Sequence, residues 1–135
     1  PLFYVAKVDD ENKLMVFYER PLSATVNGFD LSVVTDCMVA TPIFNAPDAP
    51  YFFLQEFKKK KGDKKDPEAQ MLVAMLIAQS INDNGKPIYG GYLIGTSWKF
   101  AVLDGKNYTV SPIFEATKKA DLYKIASIVR KIKTL

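Results

Sequence analysis

A carboxylate and an amine stand two residues apart, at Glu56 and Lys58, after an unbroken aromatic and aliphatic run over 51–54. Residues two apart in a β-strand project from the same face, so these side chains should point together while Phe57 points the other way. Neither charge is easily buried alone. A carboxylate beside an ammonium suits phosphate chemistry, because one group can hold a hard cation and the other can neutralise developing charge.

A second carboxylate, Asp36, lies in the preceding predicted strand, over 29–41. If the two strands pair as neighbours, Asp36 meets Glu56 at one edge of the sheet. Two carboxylates and the backbone carbonyl of Phe57 then form an oxygen ligand set for a hard cation, namely magnesium, manganese or calcium, with positions left for water and a phosphate oxygen. Lys58 would steer or deprotonate the attacking water.

The composition excludes several other chemistries. The chain has 135 residues and no histidine, which removes Ser-His and Cys-His pairs and histidine-containing zinc sites. Cys37 is the single cysteine, so no disulfide-stapled scaffold is possible within the chain. At 48% hydrophobic and 24% charged residues, the chain fits one globular domain over 1–135.

The longest apolar run, over 71–78, is too short to span a bilayer, so no membrane partner is expected. The chain opens on a strand-like pattern and shows no leader, which favours a cytoplasmic location.

Hydrophobic patterning and turn residues predict strands, a helix, more strands and a second helix, which is a mixed sheet of the α/β (α+β) class. We expect an N-terminal β-hairpin in segment 1–22, a core over 29–111 and a closing helix in segment 118–135. The predicted strands are 3–8, 13–18, 29–41, 51–58, 88–94, 98–103 and 108–110, with a break at 20–23 and a proline-rich loop over 42–50. Strict alternation over 29–41 puts Asp36 on one face with Val34 and Met38, and Cys37 on the other with Val33.

The central helix has a clear start, with Asp66 as N-cap, Pro67 at the first helical position and Glu68 in the first turn. It should run to about Asn82 and, being apolar on nearly every side, should pack on two faces. The closing helix, over 120–135, carries an apolar stripe of Leu122, Ile125, Ala126, Val129 and Ile132.

A lysine-rich segment follows the candidate site. Its candidate nucleic-acid-binding residues are Lys59, Lys60, Lys61, Lys64 and Lys65. Such a cluster favours contact with a phosphate backbone, and the competing interpretation is a solvated loop. The basic residues of the closing helix are better explained by the helix dipole.

Structural interpretations compete with the functional ones at each site residue. Asp36 could be a solvated edge residue, and Glu56 with Lys58 an exposed ion pair of small energetic value. Gln70 could simply solvate the first helical turn.

The order of Asp36, then Glu56-x-Lys58, then a helix that carries Gln70 in its first turns resembles the PD-(D/E)XK nuclease superfamily. It is most similar to an uncharacterised bacterial branch, which has similar Tyr-Gly and Gly-x-x-Trp-x-Phe strands, here at 89–92 and 95–100. The resemblance covers roughly 31–100.

The resemblance implies a restriction-endonuclease-like mixed sheet flanked by helices. It implies that Asp36 and Glu56 bind Mg²⁺ (or Mn²⁺), that Lys58 assists water attack on a phosphodiester, and that Gln70 orients the site. Many members place another acidic residue on a helix before the first catalytic strand; no such helix is predicted here, and Glu19 is left as a candidate for that role.

The leading functional prediction is therefore a magnesium-dependent nuclease acting on nucleic acid. The alternative is a catalytically inactive nuclease-fold module that binds nucleic acid or a protein partner, and a third interpretation is an accessory domain. The choice between DNA and RNA and the oligomeric state, a homodimer included, stay open at this level.

Overall fold

The computed structural model describes residues 15–43, 46–58 and 66–132. Within these ranges the chain is mixed α+β, as predicted. The strands are β1 (Met15–Val26), β2 (Phe29–Ile43), β3 (Ala46–Lys58), β4 (Ile88–Ile94), β5 (Ser97–Asp104), β6 (Asn107–Val110) and β7 (Phe114–Glu115). The helices are α1 (Pro67–Asn82) and α2 (Lys119–Lys131).

The strands form one mixed sheet in the order β1-β2-β3-β4-β5-β6, with β7 added beside β5. β3 and β4 pair in parallel, and the other described pairs are antiparallel. Parallel neighbours need a crossover connection, and α1 supplies it. β3 lies between β2 and β4 and is a central strand, as the uninterrupted apolar run over 51–54 indicated.

The sheet has a core on each side. On the face that contacts α1, here called the α1 face, the buried residues include Phe17, Met38, Met75, Tyr92 and Leu103. On the opposite face, here called the α2 face, they include Cys37, Val39, Phe100, Ile125 and Val129. The start of α1 lies on the α1 face, so that face is the one relevant to the candidate site.

The predicted bounds of α1 are confirmed. The Asp66 carboxylate accepts a hydrogen bond from the Ala69 amide at 3.1 Å, and Pro67 opens the helix. The expectation that α1 packs on two faces is wrong for the part of the chain that is described. Its sheet contacts are with β1 to β4, whereas Ala69 and Ser80 are exposed, because the sheet covers a single side.

Two predicted interruptions of the strands are wrong. β1 continues through Pro21, which pairs with Val34, since β1 is at the edge of the sheet formed by the described strands and an edge strand tolerates a missing amide donor. The predicted loop over 42–50 is instead largely paired, with Thr41 opposite Asp48 and Ile43 opposite Ala46. Strand pairing with a neighbour has overridden the local preference of proline for a loop.

The N-terminal hairpin that the structure describes joins β1 to β2 through a turn at Asn27 and Gly28, both with positive φ. The expected first strand, over 3–8, lies outside the described residues.

The strands of the second half and the closing helix agree closely with prediction. β4, β5 and β6 are confirmed, and the two-residue strand β7 was not predicted. In α2, Ile125, Val129 and Ile132 are buried as expected, but Leu122 is 42% exposed and lies outside the core. No helix in the described ranges has the length and apolar character needed to cross a membrane.

Candidate active site

The candidate site is built where β2 and β3 stop pairing. The last backbone pair in this direction is Cys37 with Gln55. Beyond it, a side chain replaces the backbone as the acceptor, and Asp36 Oδ2 accepts a hydrogen bond from the Phe57 amide at 2.8 Å. The Asp36 carboxylate is thereby held against the strand that carries Glu56 and Lys58.

The predicted orientation of the β3 side chains agrees with the parallel ladder. Glu56 pairs with Tyr92, which belongs to the α1-face core, whereas Phe57 packs in the α2-face core. Glu56 therefore faces α1 and has 0% of its surface exposed. Lys58 is half-buried, so the end of the strand passes from a buried acid to a partly solvated amine.

The backbone of Phe57 faces Asp36. The Lys58 carbonyl accepts a hydrogen bond from the Gly95 amide at 2.9 Å, on the side of β4. Successive residues of a strand turn their amides and carbonyls to opposite neighbours, so both backbone groups of Phe57 turn towards β2. A ligand set that combines Asp36, Glu56 and the Phe57 carbonyl requires this direction.

Strict alternation along β2, which was predicted, is wrong. Phe17 pairs with Met38 and Leu22 pairs with Val33, and all four pack on the α1 face although an odd number of positions separates the two pairs. Between these pairs, both strands therefore reverse the face to which their alternate side chains point. This reversal is called the turnover below. Glu19, with φ of 51°, lies at this point in β1 and is opposite Asp36 when the register is continued.

Gln70 lies over β2. It lines a groove of about 360 Å³ together with Ser32, Val33, Val34 and Val73. The first turns of α1 thus extend over the strand that carries Asp36. The structure places Asp36, Glu56, Phe57 and Lys58 on adjoining strands, and it places Gln70 on the helix above β2.

A cluster of one acid and two tyrosines on the α1 face was missed by the sequence reasoning. The Tyr108 hydroxyl donates a hydrogen bond to Glu68 Oε1 at 3.2 Å. Burial, and then the nearby Glu68 carboxylate, raise the pKa of both Tyr92 and Tyr108. Tyr92 also pairs with Glu56 across β3 and β4, so this cluster adjoins the candidate site. Predicting that β3 and β4 pair in parallel would have placed Tyr92 beside Glu56.

The donor set fits the predicted metal in kind. In the described ranges, no group of three or more histidine, cysteine, aspartate or glutamate residues could hold a metal ion. Asp36 and Glu56 lie on adjoining strands, and two carboxylates are a number that Mg²⁺ or Mn²⁺ commonly uses, since these ions keep several waters and often bind one or two carboxylates with substrate phosphate. The set is too small for a closed all-protein cage.

The predicted nucleic-acid contacts Lys59, Lys60, Lys61, Lys64 and Lys65 lie outside the described residues.

A larger cleft lies on the α2 face. It has a volume of about 620 Å³ and is lined mostly by apolar side chains, among them Val102, Ile128 and Ile132. Because Glu56 faces the other side of the sheet, this cleft takes no part in the candidate site.

Neither family models, nor curated proteins, nor solved structures match this chain.

Proposed function

We propose that this chain is a magnesium- or manganese-dependent nuclease of restriction-endonuclease-like fold that hydrolyses nucleic-acid phosphodiester bonds. The supporting observation is the hydrogen bond from the Phe57 amide to Asp36. It holds one carboxylate at the strand that carries a second carboxylate and an amine, a combination that can support metal-assisted phosphodiester hydrolysis.

In this proposal, Asp36, Glu56 and the Phe57 carbonyl hold the cation. The cation, when bound, supplies a polarised water and a Lewis acid for the phosphoryl oxygen. Lys58 orients that water and neutralises negative charge that develops on the phosphate. Gln70 buttresses the site from the helix, and Lys59, Lys60, Lys61, Lys64 and Lys65 hold the nucleic-acid backbone by charge.

The burial of Glu56 supports a cation at this position. A carboxylate with no exposed surface is costly to ionise, and an adjacent positive charge offsets that cost. Lys58 and Asp36 are only half-buried, so the same point remains within reach of a phosphate group.

A second candidate function is a catalytically inactive module that binds nucleic acid or a protein partner through the same fold. It is favoured by one observation, namely that the described residues contain no cluster of three or more acidic, histidine or cysteine side chains that could hold a metal ion. An inactive module would bind its partner without Mg²⁺ or Mn²⁺ and would gain no affinity from either ion.

The deciding experiment incubates the purified chain with single- and double-stranded DNA and RNA in Mg²⁺, in Mn²⁺ and in EDTA. We expect cleavage with the divalent ions only. Lys58→Ala should reduce the cleavage rate by about 100-fold or more, since charge stabilisation and water positioning are both lost. Calorimetry should show that this variant still binds Mn²⁺, whereas Asp36→Asn does not.

The matched control is Lys106→Ala, in the exposed turn between β5 and β6. It removes the same charge far along the sheet from β3 and should leave cleavage unchanged. Cleavage by Lys58→Ala at the wild-type rate would end the catalytic assignment. Mn²⁺-independent binding of nucleic acid without cleavage would establish the inactive module instead.

A further inference from the structure

Arg20 lies in β1 beside the candidate site. It pairs with Thr35, the residue before Asp36, so the strand register brings the arginine next to the site aspartate. Its guanidinium carbon stands 5.6 Å from the centre of the Phe17 ring, and Phe17 belongs to the α1-face core. Arg20 therefore projects on the face of the sheet towards which Glu56 also points.

The side chain is held in place but its hydrogen bonding is incomplete. Arg20 Nε is buried and, among the residues that the structure describes, donates to no acceptor. A buried donor without an acceptor is unusual in a folded protein, and the cost is greater for a charged group. The cost of this charged group is offset if an anionic acceptor from outside the chain binds the guanidinium.

The chemistry of that acceptor follows from the group itself. A guanidinium is planar, permanently charged and shaped to give two parallel hydrogen bonds to the oxygens of a phosphate or carboxylate. The residue as a whole is half-buried, so an external oxyanion can approach the side chain through its exposed part, although Nε itself is buried. The contact with the Phe17 ring restricts the guanidinium before any ligand arrives, which reduces the entropy lost on binding.

The turnover of β1 and β2 explains why Arg20 is on this side. Strict alternation from Phe17 would turn residue 20 to the α2 face, but both strands turn over at Glu19. The positive φ of Glu19 is thus the local feature that brings the guanidinium to the α1 face.

We propose that Arg20 binds a phosphate group of the nucleic-acid strand that occupies the candidate site. This inference rests on the proposed function for the identity of the strand. It adds a specific substrate-binding residue, on a strand that does not carry the metal ligands, and it makes β1 part of the binding surface.

The test measures binding of fluorescein-labelled single-stranded and double-stranded DNA and RNA by anisotropy, in EDTA so that no metal is involved. Arg20→Gln should weaken binding by about 10- to 100-fold, the range expected for a hydrogen-bonded contact with a charged group. It should also reduce the slope of log affinity against log salt by about 1, because one phosphate contact is lost. Arg20→Lys should restore the salt slope but only part of the affinity.

Arg130→Gln is the matched control, since Arg130 is the only other arginine of the chain and is exposed on α2. It should bind as the wild type does. The inference is overturned if Arg20→Gln keeps wild-type affinity and salt slope, if Arg20→Lys is as weak as Arg20→Gln with an unchanged slope, or if the wild type binds none of the probes.

The nuclease proposal and the proposed Arg20 phosphate contact can be refuted independently. Loss of affinity in Arg20→Gln together with absence of Mn²⁺ binding and cleavage in the wild type would refute the nuclease and leave the Arg20 phosphate contact standing. Cleavage by the wild type with unaltered binding in Arg20→Gln would do the reverse.

Discussion

The Asp36 carboxylate accepts the Phe57 amide at the point where β2 and β3 cease to pair through their backbones. The Asp36 side chain thus extends the contact between β2 and β3 by one position, at the residue of β3 that follows Glu56. Asp36 therefore has a structural role, as acceptor of the Phe57 amide, and a proposed chemical role, as metal ligand. Its substitutions must be chosen to separate these two roles.

Replacing Asp36 with alanine and with asparagine separates them. Alanine removes the acceptor of the Phe57 amide and should lower the free energy of unfolding by about 1–3 kcal/mol. Asparagine keeps a side-chain oxygen and should cost less, although both variants should lose Mn²⁺ binding because the charge is gone. Urea titration and calorimetry measure the two effects. Asp30→Ala, at an exposed pair with Thr25, is the control and should change stability little. Equal losses of stability in the asparagine and alanine variants would contradict this account.

The tyrosines that surround Glu68 predict a loss of stability in alkaline solution. Burial and the Glu68 carboxylate raise the pKa of Tyr108 in the folded chain, so the folded state holds this proton more tightly than the unfolded state does. The resulting stabilisation is complete below the unfolded pKa of about 10 and is lost as pH rises through the folded pKa. The urea midpoint should therefore fall above pH about 10, and it should fall less in Tyr108→Phe. The control is Tyr123→Phe, because Tyr123 is 65% exposed on α2. A pH profile that is identical in Tyr108→Phe and the wild type would contradict the raised pKa of Tyr108 in the folded chain.

The starts of the two helices predict opposite effects of capping substitutions. Asp66 caps α1 through its side chain, so Asp66→Ala should lower stability by about 1 kcal/mol, and Asp66→Asn by less. Lys118 occupies the same position of α2 and makes no capping hydrogen bond with its side chain. Lys118→Ser should therefore raise stability by about 0.5–1 kcal/mol. Thermal unfolding of the three variants tests both halves, and a destabilised Lys118→Ser would show that the lysine has another role.

The left-handed conformation of Glu19 predicts which substitutions it tolerates. A residue with φ of 51° favours glycine and strongly disfavours a β-branched side chain. Glu19→Gly should leave stability unchanged or raise it by up to about 1 kcal/mol, while Glu19→Val should lower it by about 1–2 kcal/mol. Urea unfolding of both variants is the measurement. If valine were accepted as readily as glycine, the turnover of β1 would not depend on this residue.

The elements that the sequence predicted well are those with local chemical signals. Asp66 and Pro67 define the start of α1, and the turns at Gly95 and Gly105 separate β4, β5 and β6. Local signals were misleading where a neighbouring strand decides the outcome. Pro21 and the prolines of 42–50 suggested breaks, but an edge position and a long antiparallel ladder accommodate them.

The candidate site was predictable only in part, for the same reason. Spacing alone predicted that Glu56 and Lys58 share one face of the strand and that Phe57 faces the other way, because alternation is a local property of a strand. The turnover at Glu19 was not predictable, since nothing in the residue type of glutamate signals a positive φ. The neighbourhood of Tyr92 and Glu56 depends on the parallel pairing of β3 with β4, and that of Arg20 on the turnover.

The crossover through α1 also bears on the order in which the molecule folds. β1, β2 and β3 follow one another as antiparallel neighbours, and such hairpins close short loops at little entropic cost. β3 and β4 are joined only through the crossover that carries α1, which makes this junction the contact of highest sequence separation between adjacent described strands. Glu56 and Lys58 lie along that junction, so the residues proposed to act on a phosphodiester sit on the strand pairing with the largest loop-closure cost in the described sheet, and we expect it to form later than the hairpins.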